Sequence, residues 1–141
     1  MIMSLRDTSI MNERPRQLIT AVVDDDQRVL QSLENLLESA GHTVRLYESA
    51  MDLFASDSLA DVDCLISDID LPKIDGFEIL NRACASRPDL LVILMTGHHE
   101  LADRASSGEA GRFRLFKKPF DAQELLSAIS EFLHQPNQVP S

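Results

Sequence analysis

Carboxylate side chains gather at two places in the sequence, and each place directly follows a short apolar run. Three consecutive aspartates, residues 24–26, follow one run, and Asp68 follows another, with Asp70 two positions later. Two further apolar runs end beside a hydroxyl group, Thr96, and an ammonium group, Lys118. A fold that brings these run ends together therefore places carboxylates, a hydroxyl and a lysine in one crevice.

The charges in such a crevice restrict its chemistry. Two carboxylates about 4 Å apart repel by about 4 kcal/mol at an effective dielectric constant near 20, so a cluster of them needs a cation. Ligands that are all oxygen favour a hard ion, Mg²⁺ or Mn²⁺. A hard ion, a lysine and a hydroxyl around one carboxylate are typical of phosphoryl transfer, because they neutralise charge on the phosphoryl oxygens. The central carboxylate is then able to act as the nucleophile and form an aspartyl phosphate.

Short apolar runs alternate with helical periodicity along residues 17–134. The runs predict five strands, at residues 18–23, 43–47, 62–67, 90–95 and 113–116. A helix is predicted after each strand, and the fourth of these, residues 99–110, is the weakest because its apolar residues are few. Asp26 is placed to cap the first helix, Gly41 to end it, and Asp121 to cap the last.

Strands that alternate with helices require crossover connections, which produce a parallel sheet covered on both faces. We therefore predict an α/β fold, a doubly wound (βα)5 unit with a five-stranded parallel sheet. Open sheets of this kind bind ligands outside the carboxyl ends of their strands. The acids, Thr96 and Lys118 all follow strands, so this fold is the one that brings them together.

Length and composition limit the other possibilities. The 141 residues fit one domain, and the formal net charge of −10 makes direct binding of nucleic acid or of an anionic membrane improbable. Two widely spaced cysteines, Cys64 and Cys84, indicate reduced thiols rather than a zinc site or a disulfide, and so favour the cytoplasm. Residues 1–16 are predicted to be a flexible leader and residues 135–141 a tail, with no output domain after residues 17–134.

Four motifs in order, VVDDD, SDIDLPKIDG, MTGH and KKPF, give the chain a family resemblance. Their spacing places Asp68 43 residues after Asp25, Thr96 28 residues after Asp68, and Lys118 22 residues after Thr96. The sequence resembles the receiver domain of two-component response regulators, in particular the receivers of transcription-activating regulators. The resemblance implies the flavodoxin-like, three-layer receiver fold.

The resemblance also implies the residues of the site. Asp68 matches the phosphoacceptor, and Asp25 matches a direct Mg²⁺ ligand that Asp24 assists through water. The backbone carbonyl of Asp70 matches a further metal ligand, whereas its side chain occupies a variable position.

Two more matched residues complete the implied site. Thr96 matches the hydroxyl that bonds the phosphoryl group, and Lys118 matches the lysine that pairs with the acceptor carboxylate and then with the phosphate. The resemblance further implies a cis peptide bond between Lys118 and Pro119.

The implied function is a signalling switch rather than an enzyme. A sensor histidine kinase or a histidine phosphotransfer protein would donate a phosphoryl group to Asp68, with Mg²⁺ as cofactor. An output protein would then bind the face made by the fourth helix, the fifth strand and the fifth helix. Leu115 stands where the family usually has an aromatic switch residue, so we hypothesise that switching depends on residues 97–112 instead.

Two other functions remain open at the level of sequence. The Asp68-Ile69-Asp70 segment superficially resembles the nucleophile and acid of haloacid-dehalogenase-type phosphohydrolases, although that family carries its motif on the first strand. A receiver-like interaction module that is never phosphorylated is the other alternative. The presence of Asp24, Asp25, Asp68, Thr96 and Lys118 together argues against it.

Overall fold

The computed structural model describes residues 17–55, 58–97 and 113–133. Within them lie five strands, here named β1 to β5 in chain order: Ile19–Val23, Thr43–Tyr47, Cys64–Asp68, Leu91–Thr96 and Phe113–Lys117. Four α-helices, named α1 to α4, span Gln27–Ser39, Ala50–Ala55, Gly76–Ser86 and Ala122–Leu133. The predicted helix at 99–110, the leader at 1–16 and the tail at 135–141 lie outside the described residues.

The sheet has the order β2-β1-β3-β4-β5, and all four neighbouring pairs are parallel. The chain runs from β1 outward to β2 and then crosses back to β3, so the order of the strands reverses between β1 and β3. Ligands bind at this kind of switch point in open α/β sheets. The structure confirms the predicted doubly wound parallel sheet and its flavodoxin-like strand order.

Each face of the sheet carries its own apolar core. One core joins the sheet to α1 and α4 through side chains such as Leu33 and Leu125, and the other joins it to α2 and α3 through side chains such as Leu53 and Ile79. Every residue of β3 and β4 is buried. These central strands therefore hold their carboxyl ends in fixed positions.

Local signals place the ends of the helices as the sequence predicts. The Asp26 side chain accepts a hydrogen bond from the Arg28 amide at 2.9 Å, and the Asp121 side chain accepts one from the Gln123 amide at 2.8 Å. Gly41 has φ +95°, a left-handed conformation that glycine adopts without strain, and it follows the end of α1. The capping predictions are confirmed.

The segment between α2 and β3 differs from the sequence-based prediction. A short 3₁₀ helix, Ser58–Asp61, stands there, and β3 begins at Cys64 rather than at residue 62. The Arg87 guanidinium donates hydrogen bonds to the carbonyl groups of Leu59 and Val62, at 2.6 and 3.0 Å. This stabilising partner comes from 25 or more residues away, so local patterns do not reveal it.

Other predicted strand limits shift by one residue: β1 starts at Ile19, β4 spans Leu91–Thr96, and β5 extends to Lys117. Cys64 is buried and Cys84 is only partly buried, and both are free thiols. Among the described helices, none combines the length and the apolar character that crossing a bilayer would require.

Candidate functional site

Asp24 follows β1 directly and is fully buried, whereas its neighbour Asp25 is exposed. The Asp24 amide donates to the Tyr47 carbonyl at 3.1 Å, which ties the end of β1 to the end of β2. One Asp24 carboxylate oxygen, Oδ1, accepts a hydrogen bond from the Asp26 amide at 2.9 Å. Asp26 itself serves as the cap of α1, so its carboxylate has a structural partner.

Asp68 is the last residue of β3, and only 5% of it is exposed. Its Oδ1 atom accepts a hydrogen bond from the Asp70 amide at 3.2 Å, which fixes one side of the carboxylate. Asp70 itself is exposed. The carboxylate of Asp68 is therefore nearly buried and is held on one side by a backbone amide.

Lys118, which directly follows the edge strand β5, also contributes to the site. Its Nζ atom lies 3.4 Å from Asp24 Oδ2 and 3.3 Å from Asp68 Oδ2. The Lys118 amide donates to the carbonyl of Thr96 at 2.7 Å, so the position of the lysine is set from the end of β4. Thr96 is fully buried at that end. The peptide bond between Lys118 and Pro119 is cis, as the resemblance implies.

Burial and charge shift two pKa values in this site. Burial and, to a smaller extent, the charge of Asp68 raise the pKa of Asp24, and together they exceed the opposing effects of the Asp26 amide and of Lys118. Burial alone would lower the pKa of Lys118, but the charges of Asp24 and Asp68 together outweigh it and raise that pKa. The lysine is therefore held charged, and the Asp24 carboxylate carries a desolvation cost that a bound cation would offset.

Asp24, Asp25 and Asp68 each present a carboxylate oxygen, and these oxygens lie within 4.8 Å of one another. Oxygen donors alone, from carboxylates of which two are buried, suit a hard divalent cation such as Mg²⁺. Lys118 compensates part of the negative charge. The cluster thus fits the cation that the sequence implies, and it joins residues that are more than forty positions apart.

The loop after β3 carries a contact that the sequence analysis missed. The Lys73 backbone has φ 68°, and the Ile74 amide donates to the Pro72 carbonyl at 2.7 Å, which makes a tight three-residue turn. Gly76 then starts α3 in direct contact with the peptide between Asp68 and Ile69. The Asp-Gly pair at positions 75–76 is a visible signal in the sequence, but the close approach depends on the packing of a helix against a strand.

A second feature outside the predicted site is a groove beside Lys118. It has a volume of about 730 Å³, and it lies between the first turns of α1 and the loop that leads to α4. Its lining includes Arg28, Val29, Pro119 and Phe120. Sequence patterns give no sign of the groove, because its two walls are some ninety residues apart in the chain.

A doubly wound parallel sheet with an acidic cluster and a lysine at its carboxyl edge is the arrangement of a class of regulatory signalling domains. Residues 20–130 match the family described as response regulator receiver domain. The chain belongs to this family, whose members are regulatory domains of two-component systems rather than conventional enzymes and bind Mg²⁺ at an acidic pocket.

Relatives with known names support the same assignment. The chain is similar to the DNA-binding transcriptional regulator NtrC of Rhizobium meliloti (strain 1021), with 32% identity over 85% of this chain and 25% of that protein. It is also similar to the transcriptional regulatory protein FixJ of Azorhizobium caulinodans, with 33% identity over 82% of this chain and 54% of that protein. The chain thus spans between a quarter and about half of the length of these relatives.

A solved structure agrees with the fold. A CheY-like response regulator receiver domain protein from Methanospirillum hungatei JF-1 shares 30% identity and superposes with a TM-score of 0.76, over 85% of this chain and 96% of that one. The family assignment leaves the phosphohydrolase alternative without support. The Asp68-Ile69-Asp70 segment begins at the last residue of the third strand, not on the first strand as in haloacid-dehalogenase-type enzymes.

Proposed function

We propose that this chain is a switch that takes a phosphoryl group onto Asp68 from a phosphohistidine, with Mg²⁺ as cofactor. One observation carries the proposal: Lys118 Nζ lies within 3.4 Å of the carboxylates of both Asp24 and Asp68, inside a cluster of three acids. A buried acid beside a cation and a metal-binding cluster is the arrangement that phosphoryl transfer to a carboxylate needs.

The proposed metal ligands are Asp25, Asp68 and the backbone carbonyl of Asp70, with Asp24 assisting through water. Mg²⁺ fits these donors best, and Mn²⁺ has the same preference for oxygen. When bound, the ion neutralises charge that develops on the phosphoryl oxygens.

In the proposed step, an Asp68 carboxylate oxygen attacks the phosphorus, and the phosphorus–nitrogen bond of the donor imidazole breaks. The imidazole nitrogen keeps the bonding electron pair, and an acyl phosphate forms on Asp68. Lys118 lies beside Asp68 and is charged at neutral pH, so it is placed to pair with the new phosphoryl group. The hydroxyl of buried Thr96, at the end of the neighbouring strand, is the proposed donor to a phosphoryl oxygen.

The proposed donor is a sensor histidine kinase or a histidine phosphotransfer protein. The groove of about 730 Å³ beside Lys118 supports an approach from this side, because it provides Val29, Pro119 and Phe120 as apolar contacts next to the acceptor. The proposed location is the cytoplasm. Phosphorylation would change the binding of an output protein at the face that includes β5 and α4.

The names of the relatives describe those longer proteins, so they indicate only indirectly what the output of this chain is. NtrC and FixJ are transcriptional regulators, and the chain covers part of their length. We propose that residues 17–134 are the receiver unit. The chain's own net charge of −10 argues that this unit does not contact DNA directly.

The test is phosphorylation by phosphoramidate with Mg²⁺, followed by mass spectrometry. The full chain should gain one phosphoryl group that is released by alkali, as an acyl phosphate is. Asp68→Asn should lose the label and keep its circular dichroism spectrum, whereas Asp52→Asn, at an exposed acid on α2, should label like the unmodified chain.

Labelling of Asp68→Asn at an undiminished level would refute the assignment of the acceptor. A folded wild-type chain that is never labelled would instead favour the interaction module that is not phosphorylated. Steady release of phosphate from several esters would favour a hydrolase.

A further inference from the structure

Gly76, the first residue of α3, touches the backbone of the proposed acceptor. A Cβ atom at this position would lie 2.7 Å from Ile69 Cα and 2.8 Å from the carbonyl oxygen of Asp68. Both atoms belong to the backbone, so rotation of a side chain cannot relieve the contact. Among the described glycines only Gly41 has a positive φ, so the requirement for glycine at position 76 is one of space.

Neither side of this contact is free to move. Asp68 is paired with Met95 in the sheet, and the Ile69 amide donates to the Met95 carbonyl at 2.9 Å. On the other side, α3 is anchored in the core by Ile79 and Ala83, which are fully buried. Packing of β3 in the sheet and of α3 in the core therefore holds the first turn of α3 against the Asp68–Ile69 peptide.

The same contact organises the loop between β3 and α3. The carbonyl of Ile69 accepts hydrogen bonds from the amides of both Leu71 and Gly76, each at 3.0 Å. Asp70 stands between Ile69 and Leu71, and its amide holds the Asp68 carboxylate. A shift of α3 away from Ile69 would consequently move both the Asp68 carboxylate and the Asp70 carbonyl.

We propose that Gly76 is a positioning residue for the site: by lacking a side chain, it lets α3 seat against the Asp68–Ile69 peptide and so sets the places of the acceptor carboxylate and the Asp70 carbonyl. This inference rests on the proposed function. An alanine would require about 0.7 Å of separation to lengthen the 2.7 Å contact to an ordinary 3.4 Å. Misplacement of about 1 Å at a reacting centre is able to slow a reaction about 100-fold.

The experiment compares Gly76→Ala with Gly41→Ala in the full chain. Gly41 lies before β2, at the opposite end of the sheet, and alanine there is strained by φ +95° but touches nothing within 4 Å. Both variants should lower the urea midpoint. We expect phosphoramidate to label Gly76→Ala about 10- to 100-fold more slowly than wild type at saturating Mg²⁺, and Gly41→Ala to stay within about twofold.

A second readout is the affinity for Mg²⁺ alone, measured by calorimetric titration. Gly76→Ala should bind Mg²⁺ several-fold more weakly because the Asp70 carbonyl moves, whereas Gly41→Ala should bind as wild type does. If Gly76→Ala does not fold, Asp75→Ala takes its place, because it removes only the 3.0 Å bond from the Glu78 amide that fixes the start of α3. It should label several-fold more slowly.

The outcomes separate the two proposals. A wild-type chain that accepts phosphoryl groups, with Gly76→Ala labelling and binding Mg²⁺ equally well, overturns the positioning role and leaves the proposed function standing. Equal slowing in Gly41→Ala also overturns it, because general loss of stability would then explain the effect. A wild-type chain that neither labels nor binds Mg²⁺ refutes the proposed function and the positioning role together.

Discussion

Replacing Lys118 with methionine removes the cation between two carboxylates and keeps most of the aliphatic stem. At an effective dielectric constant near 20, a charge pair at the 3.3–3.4 Å separations seen here has a Coulomb energy of about 5 kcal/mol. The net loss of stability is smaller than this Coulomb energy for two reasons. Water screens the charge, because 27% of the lysine side chain is exposed, and burying the ammonium group costs desolvation energy. We expect Lys118→Met to lower the free energy of unfolding by about 2–4 kcal/mol at pH 7.5 in EDTA.

The pH dependence of this loss has a defined sign. The pKa of Asp24 is already raised by burial above its ordinary value of 3.8, and removal of Lys118 raises it further. A carboxyl group with a raised pKa in the folded state favours folding when protonated and disfavours it as pH rises through the window above 3.8. The difference in the free energy of unfolding between wild type and Lys118→Met should therefore decrease as pH falls into that window.

Alkaline pH gives a second test of the same charge. The pKa of Lys118 is raised above its ordinary value of 10.5, so its contribution is complete below pH 10.5 and is lost as pH rises through the raised value. The difference between wild type and Lys118→Met should accordingly decrease at strongly alkaline pH.

The assay is urea unfolding followed by circular dichroism, with and without Mg²⁺, at several pH values. Lys117→Met is the matched control, since Lys117 is the exposed neighbour on β5 and its replacement should change stability by less than about 0.5 kcal/mol. Mg²⁺ should recover part of the loss in Lys118→Met by supplying positive charge. A deficit that changes with neither pH nor Mg²⁺ would refute this reasoning and assign the role of Lys118 to packing.

Two other variants test the acidic cluster and the remote end of the fold. Mg²⁺ at ten times its Kd should stabilise the wild type by about 1.4 kcal/mol, and Asp25→Asn should lose most of this gain. The measurement is the shift in melting temperature on adding Mg²⁺, and an equal shift in both proteins would contradict direct ligation by Asp25. Arg87→Ala removes the guanidinium donor from the partly buried carbonyls of Leu59 and Val62, of which Leu59 keeps the bond from the Val62 amide, and should cost about 1–3 kcal/mol in urea unfolding. The labelling rate per folded molecule should stay unchanged, and a urea midpoint equal to that of wild type would contradict the assigned contacts.

Most of the described fold could be predicted from the sequence, because each described strand and helix has a recognisable local pattern. Every strand was predicted within two residues of its position. For β1, β3 and β4 the reason is that buried parallel strands are continuous apolar runs. Asp26, Gly41 and Asp121 marked helix ends because capping is a local interaction between neighbours in the chain. The switch mechanism proposed for residues 97–112 concerns a segment of which the structure describes only Gly97, and it stays a prediction.

The sequence by itself determined the sheet, its handedness and the edge at which Asp68, Thr96 and Lys118 collect, because alternation of strands and helices leaves few topologies. Three features follow only from the tertiary structure. They are the burial of Asp24 rather than Asp25, the contact of the Lys118 ammonium group with two carboxylates, and the close packing of Gly76 against the Asp68–Ile69 peptide. The physical reason is distance along the chain. Burial, ion pairing and close backbone contact depend on residues 7 to 94 positions apart, and these residues come close in space only once both cores have packed.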